Sequence, residues 1–236
     1  MKALVTGGAS GIGAATVERL RADGAAVAVI DIDAAALEHS SADVRLLADV
    51  SQETEIEAAV ANAARELNGL DAVVAGAGIL RRGTVADTSV EDWDRVFAVN
   101  VRGVFLTARA AIPQLRRAGG GAIVIVASQL SFVGQPANAA YVASKGALTS
   151  LARTMAVDHA AEGIRVNAVC PGPTDTPMQD SFGQASDARA ALARLQLHSR
   201  LVAADEVADA VAYLLSPRAS STLGTALVVD GGYTAR

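Results

Sequence analysis

Seven short runs of apolar residues recur along this chain, and longer stretches with helical periodicity separate them. Strands that are buried on both faces of a sheet have this continuous apolar character. Strands that alternate with helices form βαβ units around a parallel sheet, so the sequence predicts an α/β fold. The predicted strands are Lys2–Thr6, Ala25–Ile30, Val44–Ala48, Ala72–Ala75, Ala122–Ala127, Arg165–Cys170 and Ala226–Val229.

Polar residues indicate where several helices begin. Ser51 precedes the acidic residues Glu53 and Glu55, so it is the expected N-cap of the helix that follows. Thr88-Ser89-Val90-Glu91 has the pattern of a capping box, and Asp205 opens a further helix. The two longest helical stretches are predicted at Thr88–Leu115 and Ala139–Ala161.

The composition favours one globular domain over residues 1–236. Hydrophobic residues make up 51% of the chain and charged residues 19%, which excludes an intrinsically disordered protein. The one long irregular stretch, Pro171 to about Gln184, predicts a substrate lid around residues 172–200. A formal charge of −5 argues against nucleic-acid binding, and a single cysteine, Cys170, excludes a disulfide framework.

Neither a membrane span nor a metal site is expected. The longest uncharged stretch, Ala118–Ser144, contains glycines and a proline, so it cannot form one continuous helix facing lipid. His39, His159 and His198 have no metal-ligand spacing with one another or with carboxylates. We therefore expect a soluble, cytoplasmic protein.

A glycine-rich turn follows the first predicted strand. Lys2–Thr6 leads into Gly7-Gly8-Ala9-Ser10-Gly11-Ile12-Gly13, and a helix follows from Ala14. Glycines let the backbone approach a pyrophosphate closely, and the helix N-terminus offers N–H groups and a positive dipole end to phosphates. An ordinary turn between a strand and a helix is the alternative interpretation of this motif alone.

An acidic residue ends the second predicted strand. Asp31 lies 18 residues after Gly13, the placement at which a carboxylate accepts hydrogen bonds from the ribose 2′-OH of a dinucleotide. A carboxylate would also repel the extra phosphate of NADP, and neither Ser10 nor Ile32 supplies a cation for that phosphate. The sequence therefore predicts NAD in preference to NADP, while a solvated turn residue is the alternative for Asp31.

A tyrosine and a lysine share one face of the predicted helix Ala139–Ala161. Lys145 follows Tyr141 by four positions, in a chain with only two lysines and eighteen arginines. An ammonium beside a phenol favours phenolate, so we expect a lowered Tyr141 pKa and a general acid or base for a ketone or an alcohol. Ser128 follows the fifth predicted strand, where its hydroxyl would donate a hydrogen bond to a substrate carbonyl oxygen.

With these motifs in order, the chain resembles the short-chain dehydrogenase/reductase family over essentially its full length. The matching segments are Thr6-Gly7-Gly8-Ala9-Ser10-Gly11-Ile12-Gly13, Asp49-Val50, Val99-Asn100-Val101, Ser128, Tyr141-Val142-Ala143-Ser144-Lys145, Pro171-Gly172 and Val229-Asp230-Gly231-Gly232. The resemblance implies a doubly wound Rossmann domain with a seven-stranded parallel sheet, in the order 3-2-1-4-5-6-7, helices on both faces, and a homotetramer.

The resemblance also implies roles for individual residues. Asn100, Ser128, Tyr141 and Lys145 would form a catalytic tetrad, in which Asn100 holds a relay water and Lys145 binds the nicotinamide ribose. Asp49 and Val50 would contact adenine, while Gly172 and Thr174 would close over the nicotinamide. The family's usual pair of Asn after the fourth strand is replaced by Ala75-Gly76-Ala77-Gly78, whose small residues still allow close approach of the cofactor. The implied cofactor-binding set is Gly7, Ser10, Gly11, Ile12, Gly13, Asp31, Asp49, Val50, Gly76, Tyr141, Lys145, Gly172 and Thr174.

The expected function is hydride transfer between NAD(H) and a secondary alcohol or ketone of a small metabolite. The first alternative is a 3-oxoacyl-thioester reductase that uses NADPH, and the second is a regulator that binds NAD without turnover. Arg81-Arg82 would contact an anionic substrate, although a solvated loop is the more favoured interpretation. Apolar residues of the lid would shield the substrate from water; they are Met178, Phe182, Leu192, Leu195 and Leu197.

Overall fold

The computed structural model describes residues 1–178 and 186–235, and its centre is a seven-stranded parallel sheet. The strand order is β3-β2-β1-β4-β5-β6-β7, as predicted. The strands are β1 Lys2–Thr6, β2 Ala26–Asp31, β3 Val44–Leu47, β4 Ala72–Ala75, β5 Gly121–Val126, β6 Ile164–Pro171 and β7 Ala226–Val229. Three of them match the predicted bounds. β3 differs by one residue at its end, and β2, β5 and β6 differ by one residue at both ends.

Eight α-helices flank the sheet in the described part of the chain. They are α1 Gly11–Ala22, α2 Ala34–Glu38, α3 Glu53–Glu66, α4 Val90–Phe97, α5 Gly103–Arg117, α6 Ala139–His159, α7 Ser186–Arg194 and α8 Ala204–Leu215. The apolar core forms two layers. Ile56 of α3, Leu115 of α5 and Leu148 of α6 are buried in one layer, whereas Leu20 of α1 and Val211 of α8 are buried in the other. The prediction of helices on both faces is confirmed.

A π-helical segment, Ala98–Arg102, joins α4 to α5, so that the predicted helix Thr88–Leu115 is interrupted near its middle. Segments of this kind occur often at functional sites, and Asn100 lies within this one. The combined helix Val90–Arg117 is long and apolar enough to cross a membrane, but 56% of its most apolar window is buried within the protein. The apolar residues of this helix therefore pack largely into the core of the protein.

Several helix starts differ from the sequence-based expectation: α1 begins at Gly11 rather than Ala14, and α8 begins at Ala204 rather than Asp205. Gln52, not Ser51, precedes α3, because the Ser51 hydroxyl instead donates to Asp49. Ser89 caps α4 by accepting from the backbone N–H of Asp92, whereas the Thr88 hydroxyl donates to the Thr84 carbonyl. Adjacent polar residues compete to cap the same helix. The local sequence does not decide which of them caps the helix and which bonds to a residue outside it.

Candidate active site

The glycine turn between β1 and α1 depends on the absence of side chains. Gly7 has φ +67°, and a Cβ there would lie 2.7 Å from the Ala77 Cα. A Cβ on Gly13 would lie 1.9 Å from the Gly7 carbonyl oxygen, so only glycine fits at this position. The Ser10 side chain caps none of the described N–H groups at the start of α1. The turn therefore presents backbone, and the N-terminus of α1, to the cleft beside it.

One cleft of about 260 Å³ lies at the carboxyl edge of the sheet and brings most of the predicted site together. Every residue of the expected cofactor set lines it, as does Ser128. Asn100 is the one member of the expected tetrad that does not line it. Lining residues that the motifs missed include Ile32, Ile79, Arg95, Thr176 and Pro177.

Asp31 is held at the mouth of the glycine turn by backbone donors. Its Oδ2 accepts from the N–H of Ala9 at 3.0 Å, and its Oδ1 accepts from Ile32 at 2.8 Å and Asp33 at 3.1 Å. The carboxylate is thus oriented by the same turn that it neighbours. Among the described residues that line the cleft, only Arg95 and Lys145 are cationic.

Arg95 belongs to a polar cluster around Asp49. Asp49 accepts from the Ser51 hydroxyl at 2.7 Å and from Arg95 at 3.2 Å, and Arg95 also donates to the Ser51 hydroxyl at 3.1 Å. Burial raises the pKa of Asp49, but the hydrogen bonds from Ser51 and Arg95 outweigh it, so the pKa lies below its ordinary value. Asp49 is therefore a fixed anion, and no local motif marks Arg95 as its partner.

Ser128, Tyr141 and Lys145 line the same cleft. Ser128 follows β5, and its hydroxyl oxygen accepts from the N–H of Leu130 at 3.1 Å. Lys145 lies one helical turn after Tyr141, with its Nζ 5.5 Å from the centre of the tyrosine ring. The Lys145 ammonium is buried and donates to the Val126 carbonyl at 2.9 Å. A substrate oxygen in this part of the cleft would meet both hydroxyl groups.

The expected lowering of the Tyr141 pKa by Lys145 is wrong. Desolvation within the cleft raises the pKa of Tyr141 to about 12, and the Ser128 hydroxyl opposes this rise only in part. Burial lowers the pKa of Lys145 to about 8, with a small opposing effect of Cys170. The ammonium bonds to a backbone carbonyl rather than to the phenol, so desolvation decides the protonation state of Tyr141. At neutral pH the Tyr141 phenol is therefore protonated.

The buried Lys145 predicts a stability that depends on pH. Its pKa is about 8 in the folded protein and 10.5 as the ordinary value. Between these values the folded protein has lost a proton that the unfolded chain retains, so stability rises with pH. Relative to Lys145→Met, the wild type should gain about 2 to 3 kcal/mol between pH 7 and pH 10, at about 1.4 kcal/mol per pH unit. Urea unfolding of both proteins measures this difference, and a difference that does not change with pH would contradict it.

Asn100 connects three distant segments rather than lining the cleft. Its Oδ1 accepts from the N–H of Ile79 at 2.8 Å, and its Nδ2 donates to the Ile79 carbonyl at 3.0 Å and to the Ser144 hydroxyl at 3.1 Å. The Ser144 hydroxyl donates to the Tyr141 carbonyl at 2.7 Å. The Asn100 side chain thereby holds the segment after β4 against α6, and its role in holding a water stays a prediction.

The segment Ala75-Gly76-Ala77-Gly78 obtains its hydrogen bonds from neighbours in place of the missing Asn pair. The N–H of Gly76 donates to the Thr6 hydroxyl at 3.2 Å, and Asn100 bonds the residue that follows Gly78. A Cβ on Gly78 would lie 3.6 Å from the Lys145 Nζ. Thr6 and Asn100 therefore supply hydrogen bonds within and directly after this segment.

The predicted lid lies only partly within the described residues. Thr174 donates through its hydroxyl to the Gly172 carbonyl at 2.9 Å, and both residues line the cleft. Met178 also lines it, whereas Leu197 is exposed. Phe182 lies outside the described residues.

Arg81 and Arg82 do not reach the candidate site. Arg81 donates to the Leu80 carbonyl and pairs with Asp92 at 3.4 Å. Neither arginine is among the described residues that line the cofactor cleft or the smaller pocket beside it. The solvated-loop interpretation therefore fits their placement.

Comparison with known proteins places the chain among dehydrogenases. A family model described as enoyl-(acyl carrier protein) reductase matches residues 7–234. The 2-(R)-hydroxypropyl-CoM dehydrogenase of Xanthobacter autotrophicus is 42% identical over 99% of this chain and 98% of its own. The cis-4-hydroxycyclohexanecarboxylate dehydrogenase of Sinomonas cyclohexanicum is 43% identical over 99% of this chain and 96% of its own. The crystal structure of 3-ketoacyl-(acyl-carrier-protein) reductase from Brucella melitensis complexed with NADH has a TM-score of 0.93 and 34% identity, over 98% and 97% of the two chains. The chain belongs to the short-chain dehydrogenase/reductase family.

Proposed function

We propose that this protein is an NAD-dependent dehydrogenase of a small secondary alcohol, or a reductase of the matching ketone. Membership of the family makes it an oxidoreductase that uses a nicotinamide cofactor at C–OH and C=O groups. The choice of NAD and the roles of single residues are the proposal. One observation carries it: the glycine turn, Asp31 and the Ser128, Tyr141 and Lys145 group line a single cleft.

The residues of the cleft fit a dinucleotide. Gly7 and Gly13 let the turn pack closely against backbone at Ala77 and at Gly7 itself, and the start of α1 offers N–H groups to a pyrophosphate in the cleft. The Asp31 carboxylate suits a ribose with a free 2′-OH, and Asp49 and Val50 line the expected adenine end. Bound with its nicotinamide near Tyr141, the cofactor would supply or accept the hydride.

The chain's own groups would manage the substrate oxygen and the proton. In ketone reduction, the Ser128 hydroxyl would donate a hydrogen bond to the carbonyl oxygen while Tyr141, protonated below its pKa of about 12, transfers its proton to it. In alcohol oxidation, Tyr141 would first lose its own proton to solvent, and the resulting phenolate would accept the proton of the alcohol hydroxyl as the hydride leaves the carbon. The Lys145 ammonium, still charged below pH 8, would favour that phenolate through space against the desolvation that opposes it. The Lys145 side chain also excludes solvent from the side of the Tyr141 ring that it packs against.

The test is turnover followed by NADH absorbance with a panel of sugars, hydroxy acids, diols and steroids. Steady NADH formation with any of these alcohols, or consumption with a ketone, supports the proposal. Binding of NADH without any turnover across the panel would contradict it and favour the regulator that binds NAD.

Arg95 should affect the cofactor and not the chemistry. Arg95→Ala removes a partner of Asp49, so the adenine end of the cleft loses its fixed geometry. We expect the KM for NAD to rise about 10-fold with kcat within about two-fold, the effect of one charge-assisted hydrogen bond. Steady-state kinetics measure both, with Arg65→Ala, an exposed arginine of α3, as the control. A fall in kcat at unchanged KM would place Arg95 in another role.

We also propose a single-domain, cytoplasmic homotetramer. A groove along α4, the π-helical segment, α5 and α6 has a largely apolar lining, and 46% of Phe105 is exposed. Its apolar residues include Phe97, Val101, Phe105 and Leu151, and its charged residues are Asp94, Arg95 and Arg102. Exposed apolar patches of this kind are typical of subunit interfaces. Light scattering of the purified protein measures the oligomeric state.

A further inference from the structure

Two buried amide oxygens near the reacting groups have no hydrogen-bond partner among the described residues. They are Oε1 of Gln129 and Oδ1 of Asn138, in residues that are 4% and 1% exposed. A buried acceptor without a partner destabilises a folded protein, so a natural protein rarely keeps one without a use. Two of the four such side-chain atoms in the described part of the chain lie beside one site, and this pairing points to a ligand there.

Both side chains line one small pocket of about 60 Å³ beside the cofactor cleft. The pocket shares Ser128, Tyr141 and Gly172 with that cleft. Gln129 directly follows Ser128, and Asn138 precedes Tyr141 by three positions, which is about one helical turn. Both side chains therefore lie beside the part of the site where the substrate, rather than the cofactor, would bind. Their unpaired oxygens have almost no accessible surface, so each side chain would turn toward the pocket to meet a ligand.

The chemistry of the pocket indicates the kind of group that would bind. The Nδ2 of Asn138 donates to the Pro136 carbonyl at 2.8 Å, so Oδ1 is the atom left to accept. A hydroxyl group has one proton, which it can donate to the Asn138 Oδ1, and its oxygen can then accept from the Gln129 amide turned so that its N–H groups face the ligand.

The electrostatics of the pocket favour a neutral ligand. None of its described lining residues is charged, so an anion or an ammonium would be desolvated there without a counter-charge. The apolar part of the lining would cover carbon atoms; it comprises Leu80, Leu130, Pro173, Met178 and Leu192. A neutral carbon skeleton that carries an extra hydroxyl matches both the apolar residues and the polar amides of this lining.

We propose that Gln129 and Asn138 bind a second hydroxyl of the substrate, and that the enzyme prefers neutral polyols, or hydroxyketones in the reverse direction, to simple alcohols. This inference rests on the proposed function, because it assigns a substrate class to that same site. The second hydroxyl is bound and is not itself oxidised. A simple alcohol would leave both oxygens unpaired in the complex, which lowers its kcat/KM.

The first test compares 2,3-butanediol with 2-butanol, which differ by one hydroxyl. The wild type should have a kcat/KM for the diol about 10- to 100-fold above that for 2-butanol, the effect of pairing buried acceptors. Gln129→Met keeps the side-chain length but removes the amide, so the ratio should fall about 10-fold. Gln114→Met makes the same change in α5, where the amide accepts from Arg117, and should leave both activities unchanged.

The second test needs neither cofactor nor turnover. Because Gln129→Met removes an unpaired buried oxygen, its Tm should exceed that of the wild type by about 2 to 4 °C. A lower Tm together with an unchanged ratio would mean that the amide supports the fold, and would overturn the proposal. Equal turnover of both alcohols by the wild type would overturn this inference alone. NADH binding without turnover of any alcohol or ketone would overturn the proposed function as well.

Discussion

Tyr141→Phe should bind NADH within about two-fold of the wild type and lose about three orders of magnitude in kcat. The phenol is the proton donor of the proposed mechanism, and phenylalanine keeps the ring while removing the oxygen that exchanges the proton. Positioned general acids contribute about 10²- to 10⁴-fold to rate. Fluorescence titration measures NADH binding, and initial rates at saturating substrate measure kcat.

Tyr213→Phe is the matched control, since this tyrosine lies on α8 with 40% of its surface exposed. Its kcat should equal that of the wild type. Near-normal turnover by Tyr141→Phe would remove Tyr141 from the proton-transfer role. Loss of NADH binding together with kcat would show instead that the phenol shapes the cleft.

Asp31 should decide between the two dinucleotides. The wild type should prefer NAD to NADP by about 10³-fold in kcat/KM, because a fixed carboxylate meets the extra phosphate of NADP as a like charge. Asp31→Asn keeps the shape and one acceptor oxygen but removes the charge, so the preference should fall at least about 100-fold. Two effects lower the preference: NAD loses a charge-assisted hydrogen bond from its ribose to residue 31, and the phosphate of NADP no longer meets a like charge there. Rates with both cofactors at one fixed alcohol concentration measure the ratio.

Asp33→Asn controls for a change of net charge two positions away. Asp33 caps α2 by accepting from the Ala36 N–H, and it does not line the cleft. Its variant should change the cofactor ratio by less than about three-fold. A wild type that prefers NADP would contradict the proposed cofactor and would favour the 3-oxoacyl-thioester reductase.

Much of the fold and site could be predicted because each motif has a fixed relation to a strand end or a helix turn. The five central strands, β2, β1, β4, β5 and β6, are largely buried on both faces and appear as apolar runs. The outer strands β3 and β7 are partly exposed, yet all seven strands were located to within one residue. Asp31 and Ser128 could be found because polar residues that end buried strands meet at one edge of the sheet. Tyr141 and Lys145 could be paired because four positions make about one helical turn.

The properties that the sequence did not reveal depend on segments that are distant along the chain. The Tyr141 pKa is set by desolvation from packed neighbours, and a Tyr-Lys spacing contains no information on that packing. The same is true of Arg95, which reaches Asp49 from 46 residues away, and of the Asn100 contacts. The unpaired Gln129 and Asn138 oxygens appear only when every possible neighbour has been placed.

The Asn100 connection has a consequence for how the enzyme tolerates cleavage of its chain. It ties residue 79 to residue 100 and residue 100 to residue 144, across 21 and 44 positions of chain. The chain between these residues includes α4, α5 and β5, so the Asn100 side chain joins segments that the backbone connects only through those elements. Partial proteolysis within residues 79–144 would therefore release the segments that Asn100 holds together, and it should abolish turnover even where the first strands stay intact.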